Sequence, residues 1–418
     1  MFKQVFWQLL LKLITIISNL SVGIYVINYL GPESQGQIAY AISLTTVLGF
    51  LTTFGLGTFI AKTVATTTTS RLLVKRLDDI FSIRVIGSIF FIILLTVIYT
   101  VQNKYDQLLL LAFIAFSKVV FSLNVYQDFF EGTGKVGLSA KFEIVNLLII
   151  STIRVALVLY GHSVELIAFT YLLEQIIRSA FSLFTFGKST KHNYKIRPTL
   201  STLVLAKKVS PLILSTVVVG LFTQMDILLI DHYFGSQEVG VYSAAMKVVT
   251  PFYFVGTLII SVYFSKLSFS YNHDYRAFIS LFRKLVCSLL ILSTVIIFSI
   301  YLLGEKVFFI IFSDEYSSGF EISLILVFAI PFVYLGPLTG RYLILIGDFK
   351  CELEKTATAA LFNVLLGVVF IPIYGLVAAA ATTVFSYFIA NFIYLFFKPV
   401  HRDFLMEVIK GNNRAQDD

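Results

Sequence analysis

The sequence predicts an all-α integral membrane protein, with twelve transmembrane helices in two parallel six-helix lobes around a central cationic cavity and both termini cytoplasmic. Three observations carry this. Apolar stretches close to the roughly 20 residues that a bilayer core demands of a helix recur along the whole chain. The basic residues between them gather on one side of the implied topology. The first half of the chain is echoed in the second.

Hydrophobic residues make up 57% of the chain and charged residues 13%, against about 25% charged in an average soluble protein. The spans are expected at 7–30, 37–60, 80–100, 107–129, 142–160, 164–186, 209–233, 240–264, 285–303, 320–346, 353–372 and 375–397. The first carries Lys12 and lacks a small-residue cleavage site, so it reads as span 1 and not as a cleaved leader. Cys287 and Cys351 both fall towards the cytoplasm, where a structural disulfide is not expected. His162, His192, His232, His273 and His401 show no ligand spacing, so no metal or cofactor is expected.

Of the 32 Lys and Arg residues, only Lys104 and Lys306 lie in outer loops, and seven lie within spans. The rest mark the cytoplasmic side, among them Lys62, Arg71, Lys75, Arg76, Lys135, Lys141, Lys266, Arg283, Lys350, Lys398, Arg402 and Arg414. That asymmetry is the positive-inside rule. It makes the net charge of +8 a topology signal, with anionic lipid heads as partners and no nucleic acid.

The repeat is read from the turns. Tyr29-Leu30-Gly31-Pro32-Glu33-Ser34-Gln35-Gly36 ends span 1, and Tyr233-Phe234-Gly235-Ser236-Gln237-Glu238-Val239-Gly240 ends span 7. One constant offset aligns both Gly-x4-Gly turns, Ala41 with Ala245, and Lys62 with Lys266. A second echo pairs Gly132-Thr133-Gly134-Lys135 with Gly347-Asp348-Phe349-Lys350. The division expected is an N-lobe of 1–200, including the basic linker from about 187 to 207, and a C-lobe of 201–418. Such repeats commonly place a substrate site near the bilayer midplane.

The basic residues within spans are Lys12, Arg84, Lys118, Arg154, Arg178, Lys247 and Arg341. Each costs about 2.5–3.5 kcal/mol at a helix centre on insertion scales. Lys12, Arg84 and Arg341 lie near cytoplasmic ends, where snorkelling accounts for them. Lys118, Arg154, Arg178 and Lys247 sit deeper and call for a wet cavity or a counter-ion. Glu174 and Arg178 are spaced for an ion pair on one helix face, which is structural or functional. Glu143, Asn146 and Arg154 form a polar stripe on span 5, as do Lys12, Thr15 and Asn19 on span 1 and Thr216, Thr223 and Asp226 on span 7. Such a stripe lines a cavity or a helix contact. Counting Glu174 and Asp226 as the deep acids leaves the interior net cationic, which suits an anion, and Arg matches phosphate oxygens bidentately. Asp226 is either a protonatable or cation-coordinating group or a salt-bridge partner of Lys247.

Some functions are disfavoured. No G-x4-G-K-[S/T] sequence occurs, and the cytoplasmic loops are too short for a nucleotide site. The longest outer loop, Gly304 to Gly319, is small for a polymerase or ligase acting outside the membrane. An enzyme is not expected.

Several runs resemble the polysaccharide-export branch of the multidrug/oligosaccharidyl-lipid/polysaccharide exporter superfamily. They are Tyr29 to Gly36, Phe54-Gly55-Leu56-Gly57, Met225-Asp226-Ile227, Tyr233-Phe234-Gly235, Val239 to Ala245, Phe312-Ser313-Asp314-Glu315-Tyr316 and Ile371-Pro372-Ile373-Tyr374-Gly375-Leu376 to Ala380. Relatives often carry Gly where Ser313 stands. The likeness is to Wzx-type flippases. It implies that an undecaprenyl-pyrophosphate-linked O-antigen or capsule repeat unit passes from the cytoplasmic to the periplasmic leaflet of the bacterial inner membrane. It also implies alternating access coupled to a proton or sodium gradient, in company with the polysaccharide polymerase and chain-length regulator. Taken with that likeness, the expected head-group contacts are Arg154, Lys118, Lys247, Arg178, Lys12 and Arg341, and the ion-coupling candidates are Asp226 and Glu174. The alternatives are an exporter of another lipid-linked glycan or of a drug, and a membrane polymerase or ligase.

Overall fold

The computed structural model describes residues 2–66, 70–102, 104–124, 136–190 and 200–410, and these are helical with no strand among them. The echo at 132–135, the linker residues 191–199 with His192, and Arg414 lie outside the described residues. The chain divides into two compact units, Met1–Gly220 and Leu221–Asp418.

In the first unit α1 runs Phe2–Val47 and turns at Gly31, whose φ of 72° and ψ of 169° are not helical. Only glycine adopts that region readily, and Pro32 then starts the next segment where its missing N–H costs nothing. α2 is a single turn, Phe50–Thr53, and α3 spans Gly57–Thr66. Between them Phe54 takes a left-handed φ of 51° and Gly55 a φ of 63°. The stretch 37–60, expected as one span, is therefore broken. A cause lies in α4 (Ser70–Val101), which crosses so closely that a Cβ on its Gly87 would sit 1.9 Å from the Leu51 carbonyl oxygen. Leu56, Ile60 and Val64 pack with Leu77, Ile80 and Ile83 beyond the break. α5 (Leu108–Leu123), α6 (Val136–Leu159) and α7 (Val164–Thr190) follow. α5 lies on α7, and α1 on α6.

α8 (Leu200–Phe234) carries the division between the units. In the second unit come α9 (Ser236–His273), α10 (Tyr275–Ile311), α11 (Gly319–Leu326) and α12 (Ile330–Ile346). α13 (Phe349–Phe388) turns at Gly375, with φ 60° and ψ −138°, and continues through a wide π turn into α14 (Tyr394–Phe397). The short α15 (Pro399–Lys410) follows. Gly235, between α8 and α9, has φ 85° and ψ 179°, close to the values at Gly31. The repeated Gly-x4-Gly turn thus carries one backbone conformation in both units.

Among the described residues, eight helical runs are long and apolar enough to cross a membrane. One of them, Phe6–Val47, covers the first stretch read from sequence and the start of the second, and Lys350–Phe397 covers the last two. Leu108–Leu123 and Val164–Thr190 are further helices over such stretches. Exposed Ile, Leu, Val and Phe side chains coat the long helices, as on Ile291, Phe298 and Leu302 of α10 and Leu365, Val369 and Ile373 of α13. In water such a surface would aggregate; against lipid it is the expected one. The chain is a multi-pass membrane protein.

Candidate functional site

The first unit gathers four of its deep charges between α6 and α7. α6 presents Glu143, Asn146 and Arg154; α7 presents Thr170, Tyr171, Glu174 and Arg178. Arg154 donates from Nε to Thr170 Oγ1 (2.9 Å), pairs with Glu174 Oε2 (3.3 Å) and stacks over the Tyr171 ring at 4.4 Å. Arg178 pairs with Glu143 Oε2 across the helices at 2.6 Å and with Glu174 Oε1 on its own helix at 3.5 Å. Asn146 Nδ2 donates to the Glu174 carbonyl oxygen (3.2 Å), fixing the register of the two helices. Glu143 is 8% exposed, so it is a deep acid that the sequence count omitted. Two guanidinium groups therefore meet two carboxylates. Arg178 Nε and Asn146 Oδ1 remain buried without a hydrogen-bond partner among the described residues.

Lys118 stands differently. It is half-buried on α5, and among the described residues its ammonium meets the Thr46 hydroxyl (3.1 Å) and no carboxylate. Thr46 lies in the last turn of α1, just before the break at Phe54. Arg84, expected to snorkel, is instead 4% exposed and donates from Nη1 to the Ser122 carbonyl oxygen (2.8 Å). That carbonyl belongs to the last turn of α5, where the helix dipole favours a cation.

The second unit builds a different site around Asp226 of α8, which is 8% exposed. Asn363 Nδ2 donates to its Oδ1 (3.2 Å), and Tyr242 Oη of α9 donates to its Oδ2 (3.3 Å). The Thr383 hydroxyl also donates to Oδ2. Asn363 and Thr383 flank the Gly375 turn of α13, and a straight helix, rising 1.5 Å per residue, would hold them about 30 Å apart. The turn brings both to one carboxylate. Asn363 Oδ1 has no hydrogen-bond partner among the described residues, leaving a carbonyl oxygen beside the carboxylate. Acid oxygen, amide oxygen and hydroxyls together are hard ligands of the kind a small cation or a proton uses. The sequence offers Asp226 but not Asn363, Thr383 and Tyr242, which are uncharged and, for Asn363 and Thr383, distant along the chain.

The remaining candidates are scattered. Arg341 of α12 stacks over the Phe264 ring at 4.5 Å. Lys247 is half-buried on α9, and Lys12 is exposed on α1. The structure thus joins Arg154, Arg178 and Glu174 in one network, leaves Lys118 apart from it, and gives Asp226 its own cluster.

Comparison with known proteins gives these features a context. Residues 29–320 match the family described as polysaccharide biosynthesis protein. The capsular polysaccharide biosynthesis protein CapF of Staphylococcus aureus is 28% identical over 190 residues, 45% of this chain and 48% of that protein. The match spans about half the length of that curated relative. Among solved structures, the lipid II flippase MurJ in an inward closed conformation superposes with a TM-score of 0.70 at 17% identity, covering 96% of this chain and 90% of that one. An inward-facing multidrug resistance MATE family transporter of the MOP superfamily gives 0.62 at 16% identity, covering 95% and 96%. A MOP superfamily transporter from Pyrococcus furiosus gives 0.56 at 14% identity, covering 97% and 94%. At these identities the likeness establishes the fold, that of the MOP superfamily.

Proposed function

Because the chain belongs to the polysaccharide biosynthesis protein family and has the MOP superfamily fold, we propose that it is a flippase for a lipid-linked oligosaccharide. Its cargo is an undecaprenyl-pyrophosphate-linked O-antigen or capsule repeat unit, moved from the cytoplasmic to the outer leaflet of the bacterial cytoplasmic membrane by alternating access across twelve helices. The observation that carries the reading is Lys118, an ammonium inside the apolar spans with a hydroxyl as its neighbour and no carboxylate among the described residues. An ammonium left so within an apolar span is costly unless an anion visits it. A pyrophosphate is such an anion.

Arg154 and Arg178 serve in the same reading as donors held ready. Glu143 and Glu174 neutralise them in the absence of cargo, and a phosphate oxygen competes for their forks when it arrives. Lys247, Lys12 and Arg341 are contacts along the way. Asp226, with Asn363, Thr383 and Tyr242, supplies the coupling site for a proton or sodium ion, whose uptake alters the hydrogen bonds that tie α8 and α9 to both halves of α13. The polyprenyl tail stays in lipid throughout.

The test is the leaflet location of the glycan intermediate in a deletion strain, read by protection from a membrane-impermeant glycan-modifying probe. Single repeat units trapped on the cytoplasmic face support a flippase. Units that reach the outer face but stay unpolymerised would contradict it and indicate a polymerase, and no accumulation would indicate another cargo.

A further inference from the structure

The end of the second unit where α15 packs holds a cluster that the transport reading does not use. α15 docks by aromatic packing: Phe404 stacks on Tyr342 at 3.8 Å and meets Phe282 edge-on at 5.0 Å. That docking carries His401, 3% exposed, onto the start of α13. There Asp348 caps the helix, its Oδ1 accepting the Cys351 N–H (3.0 Å), while its Oδ2 faces His401 Nε2 at 3.1 Å. Cys351, one turn into α13, is 2% exposed. A ligand atom from each of Asp348, Cys351 and His401 lies within 4.8 Å of the other two.

We propose that Asp348, Cys351 and His401 form a zinc-class metal site that fastens α15 to the start of α13. Thiolate, imidazole and carboxylate are the donor set of tetrahedral zinc. Bonds of about 2.0–2.3 Å place ligand atoms about 3.3–3.8 Å apart in that geometry, so the cluster has to close by about 1 Å. An Asp–His ion pair uses only one nitrogen of His401, and its Nδ1 is buried with no hydrogen-bond partner among the described residues. The charges also fit. A divalent ion neutralises one thiolate and one carboxylate, and the nearby Lys355 and Lys398 are already held by Glu352 (2.9 Å) and Glu354 (2.7 Å). Three protein ligands leave the fourth position to water. The spacing along the chain conceals the site, because His401 arrives from a separate helix.

The experiment uses the full chain, purified through a histidine-free tag, stripped with chelator and titrated with Co2+. The expected result is one Co2+ per chain, with a near-ultraviolet thiolate-to-cobalt charge-transfer band that Zn2+ abolishes. Cys351→Ser should remove the band while Cys287→Ser keeps it, and His401→Gln should weaken binding by about tenfold or more. Thermal melts in the same detergent report whether each variant folds, and if Cys351→Ser does not, His401→Gln with both thiols intact decides. Absence of stoichiometric Co2+, a band that survives Cys351→Ser, or unchanged affinity in His401→Gln would overturn the site.

Discussion

Arg178 sits 2.6 Å from Glu143 on the neighbouring helix, closer than the 3.5 Å that separates it from Glu174 on its own. The cross-helix pair therefore holds α6 to α7, and the same-helix pair is secondary. Breaking a buried pair that leaves one charge uncompensated costs about 3–5 kcal/mol; here Arg178 keeps Glu174 at 3.5 Å and the side chains keep 11% and 19% exposure, so the loss falls at or below the lower end. Glu143→Gln is expected to lower the melting temperature of the purified protein clearly, and adding Arg178→Gln to recover most of the loss. Additive losses in the double variant would show that the two residues do not act as a pair.

Lys118 should behave otherwise. With no carboxylate to orphan among the described residues, Lys118→Gln is expected to leave stability unchanged or raised and to reduce glycan export by tenfold or more, about 1.4 kcal/mol of lost cargo binding or above. Lys118→Arg should retain part of the activity. Export is read from surface polysaccharide in a complemented deletion strain, with membrane insertion checked in parallel; full export by Lys118→Gln would remove the residue from the cargo path.

At Gly31 and Gly235 the φ values of 72° and 85°, with ψ near 180°, lie in a region that costs a side-chain-bearing residue about 1–3 kcal/mol. Gly31→Ala and Gly235→Ala are each expected to destabilise by at least that amount; at Gly235 a Cβ meets nothing within 4 Å, so there the cost is purely of the backbone. Thermal unfolding in detergent checks both. Equal melting temperatures for the variants and the parent would show that the turns relax freely.

Asp226→Asn tests the coupling site. The new amide would point a donor at Thr383 or Tyr242, so a stability loss of about 1–3 kcal/mol is expected. Transport in vesicles should then cease to respond to an imposed proton or sodium gradient while cargo binding persists. A gradient response equal to that of the parent would place coupling elsewhere.

Much of the fold was legible because bilayer length and hydropathy act over whole stretches: helices lie over the apolar segments, and the Gly-x4-Gly echo marks turns of shared conformation. The break at Phe54 was hidden, because Gly87 on another helix contributes to it. At the candidate sites, charge was legible and pairing was not. Arg154, Arg178 and Asp226 stand out as costly residues in apolar runs, whereas Glu143 lies at the edge of the 142–160 stretch, where a charge is unremarkable. Asn363 and Thr383 carry no charge, and it is the fold at Gly375 that brings them to Asp226. Arg84 looked like a snorkelling residue by depth, yet the end of α5 gives it a carbonyl.

The central claim is movement of a lipid-linked glycan between leaflets by this chain itself. It is tested most directly by reconstituting the purified protein into liposomes with labelled undecaprenyl-pyrophosphate oligosaccharide and following label accessibility to an impermeant probe. We expect protein-dependent equilibration between leaflets that is slowed at least tenfold in Lys118→Gln, about 1.4 kcal/mol. Equilibration no faster than in protein-free liposomes, with folded protein in the bilayer and either gradient imposed, would contradict the account.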